Sequence, residues 1–151
     1  MRIYIDTSVI NGLFADDRPW IRQSTENFFK ITDHPPFIVY ISELVAAEIE
    51  RTKNIGLRRR LIGVIDKYSL EMLPATEEAQ ELGERYVKER IIPVKYRPDA
   101  VHIAAAVVHN IPVLVSWNFA HIVRHQTRIA VNNLNRKLGY PQIDICSPEE
   151  V

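Results

Sequence analysis

The chain has 151 residues, of which 46% are hydrophobic and 25% charged. This length is sufficient for one domain with a hydrophobic core over residues 1–151, whereas two domains would each be small. Its 19 basic and 19 acidic residues cancel, so no overall field draws the protein to nucleic acid or to an anionic membrane, and any such attraction must be local. One cysteine excludes an intrachain disulfide, and no apolar run suits a signal peptide or a membrane span, so we expect a soluble, cytoplasmic protein.

Five short apolar runs are rich in Ile, Val and Tyr, which is typical of buried strands. They are Arg2 to Ile5, Phe37 to Ile41, Leu70 to Leu73, Pro112 to Val115 and Gln142 to Cys146. Longer patterned segments separate them and predict helices. Alternation of this kind predicts a three-layer α/β/α fold with a mainly parallel central sheet of about five strands.

Local signals place several of the helices. Pro19 can begin a helix that Pro35-Pro36 ends before the second strand. The segment from Asp99 to Asn110 is apolar nearly all round, which predicts a central buried helix. Candidate N-caps of the three helices between these two are Ser42, Asn54 and Thr76.

Four polar residues stand where the pattern is otherwise apolar. Asp6 follows the first strand and Asn118 the fourth, so both should lie at the carboxyl edge of the sheet, where parallel sheets bind ligands. At about 100° per residue, Glu48 faces inward on its helix, and Asp99 shares the apolar stripe of Ile103. Each could singly be a cap or a turn residue, and for Asp99 alone capping is the better account. Together they indicate a shared site.

Carboxylates that converge without a cysteine and histidine ligand set are typical of a site for a hard cation. Mg²⁺ and Mn²⁺ prefer oxygen ligands and keep waters for a substrate phosphate. Such an ion can polarise a phosphoryl group and lower the pKa of a bound water. The pattern therefore indicates phosphodiester hydrolysis.

Four segments in this order resemble the PIN-domain nucleases, and within them the toxins of the VapC type. The segments are Ile5-Asp-Thr-Ser8, Ile41-Ser-Glu-Leu-Val-Ala-Ala-Glu48, Pro98-Asp-Ala-Val-His-Ile-Ala-Ala105 and Val115-Ser-Trp-Asn-Phe-Ala-His121. The resemblance implies a metal-dependent endoribonuclease, a homodimer and a cognate antitoxin protein. It also implies that Asp6, Glu48 and Asp99 are metal ligands, that Ser8 supports the site, and that Asn118 occupies the fourth ligand position.

Asn118 departs from the fullest acidic pattern, because many members carry Asp there. An amide oxygen can still ligate a cation or bind a metal-held water, but it removes one negative charge and cannot act as a base. Metal affinity and the occupancy of a second ion are the properties that this change affects.

Two basic segments are candidate RNA contacts. Residues 51–70 include Arg58 and Arg59, and residues 118–137 include Arg124 and Arg128 with no acid among them. They are either solvated helix faces or a rim that binds a polyanion.

Histidines and aromatic residues carry weaker signals. His121 is a candidate for contacting a phosphate or a leaving oxygen, against the alternative of a structural hydrogen bond. His102 and His109 lie two turns apart, too far to share an ion, and are predicted to be packing or surface residues. Helical spacing of Trp20, Phe28 and Phe29 indicates a core or a dimer seam on the helix from Pro19 to Thr32 rather than base stacking.

Three functions of different class follow. The first is an endoribonuclease, the toxin of a toxin-antitoxin pair. The second is a non-catalytic PIN-fold module that binds RNA or protein, with a metal site weakened by Asn118. The third is a phosphatase or phospho-acceptor domain with Asp6 as nucleophile, which Ser8 disfavours because such proteins carry a second Asp at that position.

Overall fold

The computed structural model describes residues 1–151 and contains a five-stranded, wholly parallel sheet. The strand order across the sheet is β3-β2-β1-β4-β5. The predicted sheet is confirmed, with strand ends that move by one or two residues, as short buried strands allow. The strands are β1 Arg2–Ile5, β2 Ile38–Ser42, β3 Glu71–Leu73, β4 Val113–Val115 and β5 Asp144–Cys146.

Seven α-helices connect the strands and confirm the predicted alternation. They are α1 Thr7–Gly12, α2 Pro19–Thr32, α3 Glu43–Glu50, α4 Ile55–Lys67, α5 Glu77–Lys88, α6 Arg97–Val108 and α7 His125–Leu138. Short 3₁₀ helices cover Val94–Tyr96 and Pro148–Glu150. No helix combines the length and apolarity that crossing a bilayer demands.

Side-chain caps explain where several helices begin. Asn54 and Thr76 accept hydrogen bonds from the backbone N–H groups of the third residue after each, which confirms both predicted N-caps. Ser42 stands at the predicted N-cap position of α3, but its side chain makes no capping bond. Its hydroxyl lies 2.8 Å from the hydroxyl of Tyr4 instead.

The helices form two layers around the sheet. Contacts join α1, α2, α3 and α4 on one face, and α5 packs closely against α6 on the other. A bond from the Tyr86 hydroxyl to Oδ1 of Asn135 ties α5 to α7. Right-handed crossovers require this distribution, because the chain moves outward from β1 through β2 and then returns to the other side at β4. This arrangement confirms the three-layer prediction.

The core lies on both faces of β1. Ile3, Tyr4 and Ile5 are wholly buried, and α6 buries seven of its residues, as its continuous apolar sequence predicted. Phe28 and Phe29 also lie in the core, whereas the ring of Trp20 is 52% exposed and is not a core residue of this chain. A role for α2 in a dimer seam stays a prediction.

Candidate active site

The polar residues singled out in the sequence lie at the carboxyl edge of the sheet. Asp6 follows β1 and Asn118 follows β4 by three residues, and these two strands are neighbours. The strand order reverses between them, which is where open parallel sheets form a ligand-binding crevice. Glu48 comes from α3, and Asp99 from the first turn of α6.

Asp6 is held by hydroxyl groups. Its carboxylate is only 4% exposed, and Oδ1 accepts hydrogen bonds from the backbone N–H and the hydroxyl of Ser8. Oδ2 accepts a bond of 2.6 Å from the hydroxyl of Ser116, a residue that the sequence did not single out. Burial raises the pKa of Asp6, and the charge of His102 and the hydroxyl bonds only partly oppose that increase.

Asp99 and Asn118 form a second pair. The amide Nδ2 of Asn118 donates to Oδ2 of Asp99 at 3.0 Å, and its Oδ1 accepts from the backbone N–H of His121 at 3.0 Å. Burial raises the pKa of Asp99, and the bond from Asn118 only partly offsets it. Asn118 therefore orients a carboxylate and the following turn, and one lone pair of its amide oxygen is already in use.

His102 holds Glu48. The sequence predicted only a packing or surface residue at this position. His102 is buried, and its Nε2 lies 2.6 Å from Oε1 of Glu48. Its Nδ1 lies 2.8 Å from the Tyr4 hydroxyl, and the Thr7 hydroxyl donates to the same Glu48 oxygen at 2.6 Å. His102 is thus the hub of a buried polar network.

The charges of this network explain its protonation. Burial alone would lower the pKa of His102, but the hydrogen bond to Glu48 and the charges of Asp6, Glu48 and Asp99 raise it. Burial would likewise raise the pKa of Glu48, yet its bond to His102 and the imidazolium charge bring it below the ordinary value. An imidazolium that donates to Glu48 accounts for both directions. Hydrogen bonds from Thr7 and His102 hold Glu48 at the same edge of the sheet as Asp6, which Thr7 follows.

The remaining histidines lie at the margins. The ring of His121 stacks on Tyr96, with centroids 4.0 Å apart, and its backbone N–H binds Asn118. Its proposed contact with a phosphate stays a prediction. His109 is partly buried and its Nε2 lies 3.2 Å from the carbonyl oxygen of Pro74.

The four arginines predicted to contact RNA lie near the starts of two helices. Arg58 and Arg59 lie in the first turns of α4, Arg124 precedes α7, and Arg128 lies in its first turn. Their contact with RNA stays a prediction. Arg128 is partly committed, because its Nε donates to the carbonyl oxygen of Ile145 at 2.7 Å.

The donor chemistry suits a hard divalent cation. Asp6, Glu48, Asp99 and Asn118 offer carboxylate and amide oxygens, and the only cysteine, Cys146, is buried at the end of β5, two strands away from β1. Burial raises the pKa of both Asp6 and Asp99, so keeping both ionised without a cation is costly. No three Asp, Glu, His or Cys side chains converge as a closed ligand group in this structure.

Comparisons with known proteins agree with this architecture. The PIN domain family model matches residues 3–118. The fold is similar to that of VapBC2 from Rickettsia felis, solved bound to a DNA fragment from its promoter, with a TM-score of 0.61 and 14% identity over 97% of this chain and 98% of that one. It is also similar to VapC20 of Mycobacterium tuberculosis, a toxin that cleaves the sarcin-ricin loop, with a TM-score of 0.58 and 16% identity over 79% of this chain and 92% of that one. No curated protein sequence matches the chain.

Proposed function

This chain belongs to the PIN domain family, and from that premise we propose that it is a metal-dependent endoribonuclease that hydrolyses RNA phosphodiester bonds. One observation carries the proposal. Asp6 and Asn118 follow neighbouring strands, Asn118 binds Asp99 at 3.0 Å, and Thr7, next to Asp6, binds Glu48 at 2.6 Å, which links the three carboxylates at one edge of the sheet. Partly buried carboxylates at one edge are stable in the charged form when a cation binds them.

The ion is Mg²⁺ or Mn²⁺, held by Asp6, Glu48, Asp99 and Asn118. When bound, it supplies Lewis acidity towards the phosphate. The chain's own groups prepare that site in advance. Ser8 and Ser116 fix both oxygens of Asp6, the latter at 2.6 Å. His102 fixes Glu48 at 2.6 Å.

We further propose that this one-domain protein is a homodimeric toxin with a cognate antitoxin. The support is its fold, which it shares with VapC20 and with the VapBC2 assembly. A small open reading frame with a DNA-binding motif immediately upstream would support this assignment. Co-expression of its product should then yield a complex that suppresses RNA cleavage.

The decisive test is cleavage of RNA by purified protein with Mn²⁺, with EDTA, and after Asp6→Asn. Loss of ion binding removes several kcal/mol of transition-state stabilisation, so we expect the rate to fall by more than about 100-fold. Asp144→Asn is a matched control, because Asp144 is exposed and begins β5 at the opposite edge of the sheet. Equal cutting by Asp6→Asn and the wild type would refute the assignment.

Asn118 gives the competing function a concrete basis. Its amide group already binds Asp99 and the backbone of His121, which suits a non-catalytic RNA- or protein-binding module with a weakened metal site. RNA binding without Mn²⁺-dependent turnover, unchanged by Asp6→Asn, would favour that module over the nuclease.

A further inference from the structure

A cavity of about 470 Å³ opens directly beside the candidate active site. Ser8 and Asn118, which hold Asp6 and Asp99, form its boundary with the site. The rest of its lining is Trp117, Arg18, Asn11, Gly12 and Ile21. Its size falls within the roughly 300–1,000 Å³ that is typical of small-ligand pockets. The cavity is therefore continuous with the place where a phosphodiester would react.

The aromatic wall of this cavity is rigid. Trp117 is 8% exposed, and its indole N–H donates to Oγ1 of Thr25 at 2.9 Å. Its backbone N–H donates to the hydroxyl of Ser8 at 2.9 Å, so the wall is fixed to a partner of Asp6. The glycine at position 12 leaves room for the indole ring of Trp117, because a Cβ there would lie 2.9 Å from the indole nitrogen.

Two exposed rings flank this wall. Trp20 packs edge to face on Trp117 with centroids 5.5 Å apart and is 52% exposed. Phe119 packs on the same indole at 6.0 Å and is 49% exposed. Exposed aromatic rings on a rigid support are the surfaces on which unpaired bases stack, whatever the base.

Arg18 supplies a cation without a partner. It is exposed at the start of α2, and no carboxylate lies within ion-pair distance of its guanidinium. Arg22, one turn later, is by contrast paired with Asp16 at 2.8 Å. A free guanidinium in a cavity next to a hydrolytic site is suited to an RNA phosphate.

We propose that this cavity is a subsite for one unpaired nucleotide of the RNA substrate, next to the scissile phosphate. Trp20 does not line the cavity, but it packs on Trp117, which does. The base stacks on the exposed ring of Trp20, and Arg18 binds the adjacent phosphate. The inference rests on the proposed nuclease function, and it makes the substrate a single-stranded or looped segment, because a paired base cannot reach the exposed ring.

The test measures binding of a fluorescein-labelled, single-stranded oligoribonucleotide of mixed sequence by anisotropy in EDTA, where cleavage is absent. Trp20→Leu should weaken binding by about tenfold, and Trp20→Phe should restore most of it. Arg18→Gln should lower the salt slope of log K by about 0.7, the value of one single-strand phosphate contact. A matched duplex should bind independently of Trp20. Arg136→Gln is the control, since Arg136 lies in the last turn of α7 at the opposite edge of the sheet.

Unchanged affinity in Trp20→Leu, with a normal thermal transition, would overturn the subsite. If that variant instead changes only the molar mass in light scattering, Trp20 belongs to a dimer seam and the proposal fails. The cleavage and binding assays test the two proposals separately. Binding that depends on Trp20 without RNA cleavage would refute only the nuclease function. RNA cleavage with binding that does not depend on Trp20 would refute only the subsite.

Discussion

Replacing Asn118 with Asp adds a fourth carboxylate to the site without changing its shape. The new oxygen would lie where the amide nitrogen now lies, 3.0 Å from Oδ2 of Asp99. Two unit charges at that distance repel by roughly 1.4 kcal/mol at the dielectric constant of water and roughly 5.5 kcal/mol at an effective constant of 20. Both side chains are partly exposed, and the pair can retain a proton because the pKa of Asp99 is already raised. We therefore expect a loss of about 2 kcal/mol without metal.

Thermal unfolding with EDTA and with Mn²⁺ measures this effect. A loss of about 2 kcal/mol lowers Tm by roughly 4–8 °C for a chain of this size. At one fixed Mn²⁺ concentration the protein with the lower Kd gains more, about 2.7 kcal/mol where that concentration is 100 times Kd. A fourth carboxylate should lower the Kd, so the variant should gain more from the ion than the wild type does. Asn133→Asp, on an exposed position of α7, controls for added charge alone.

Two results would refute this reasoning. A metal-free Tm for Asn118→Asp equal to that of Asn133→Asp would show that Asp99 does not carry its charge beside residue 118. An equal gain from Mn²⁺ in the variant and the wild type would show that residue 118 does not contact the ion.

Other substitutions and conditions test separate features. Gly12→Ala should destabilise the protein by about 1–3 kcal/mol, because its Cβ would lie 2.5 Å from Oγ1 of Thr25. Gly63→Ala on α4 has open space around the new Cβ and should stabilise the protein by about 0.5–1 kcal/mol. Urea unfolding measures both changes. Burial raises the pKa of Cys146 to about 11, so a disulfide reagent at pH 8 should label it slowly until urea unfolds the chain. Because the pKa of His102 is raised, the stability that its charge contributes is fully present below pH 6.5 and is lost as pH rises through the folded-state pKa. The free energy of unfolding without metal should therefore fall between pH 6.5 and that folded-state pKa. In His102→Gln this fall should be smaller.

Sequence pattern was sufficient for the sheet and for most helix starts. Strands such as β1 are short, apolar and β-branched, and caps such as Asn54 act within three residues, so their signals are local. The sequence did not predict the helix α1, because six residues are too few to show a helical pattern, although a cap was one alternative for Asp6, which is its N-cap. Trp20 has the helical spacing of a core residue and lies outside the core, because spacing does not reveal where a helix passes the edge of its neighbours.

The sequence singled out the acidic residues of the candidate site and one group that holds them, Ser8, but not Ser116 or the role of His102. Ser116 binds Asp6 across 110 residues of sequence, and His102 binds Glu48 across 54. Neither contact has a local signature. His102 did offer one usable sign, since it lies three residues after Asp99 and therefore on the same side of α6. Its distance from His109 along α6 gave no indication of its partner, because that partner, Glu48, lies on another helix, α3.

The central place of β1 also determines when the candidate site can form during synthesis. Asp6 leaves the ribosome first, but its partner Ser116 is added 110 residues later, roughly 5–20 s at ordinary translation speeds. Until then the innermost strand lacks one of its two neighbours. A polypeptide that stops before β4 therefore carries Asp6 in an unfinished sheet and without the hydroxyl that fixes its Oδ2.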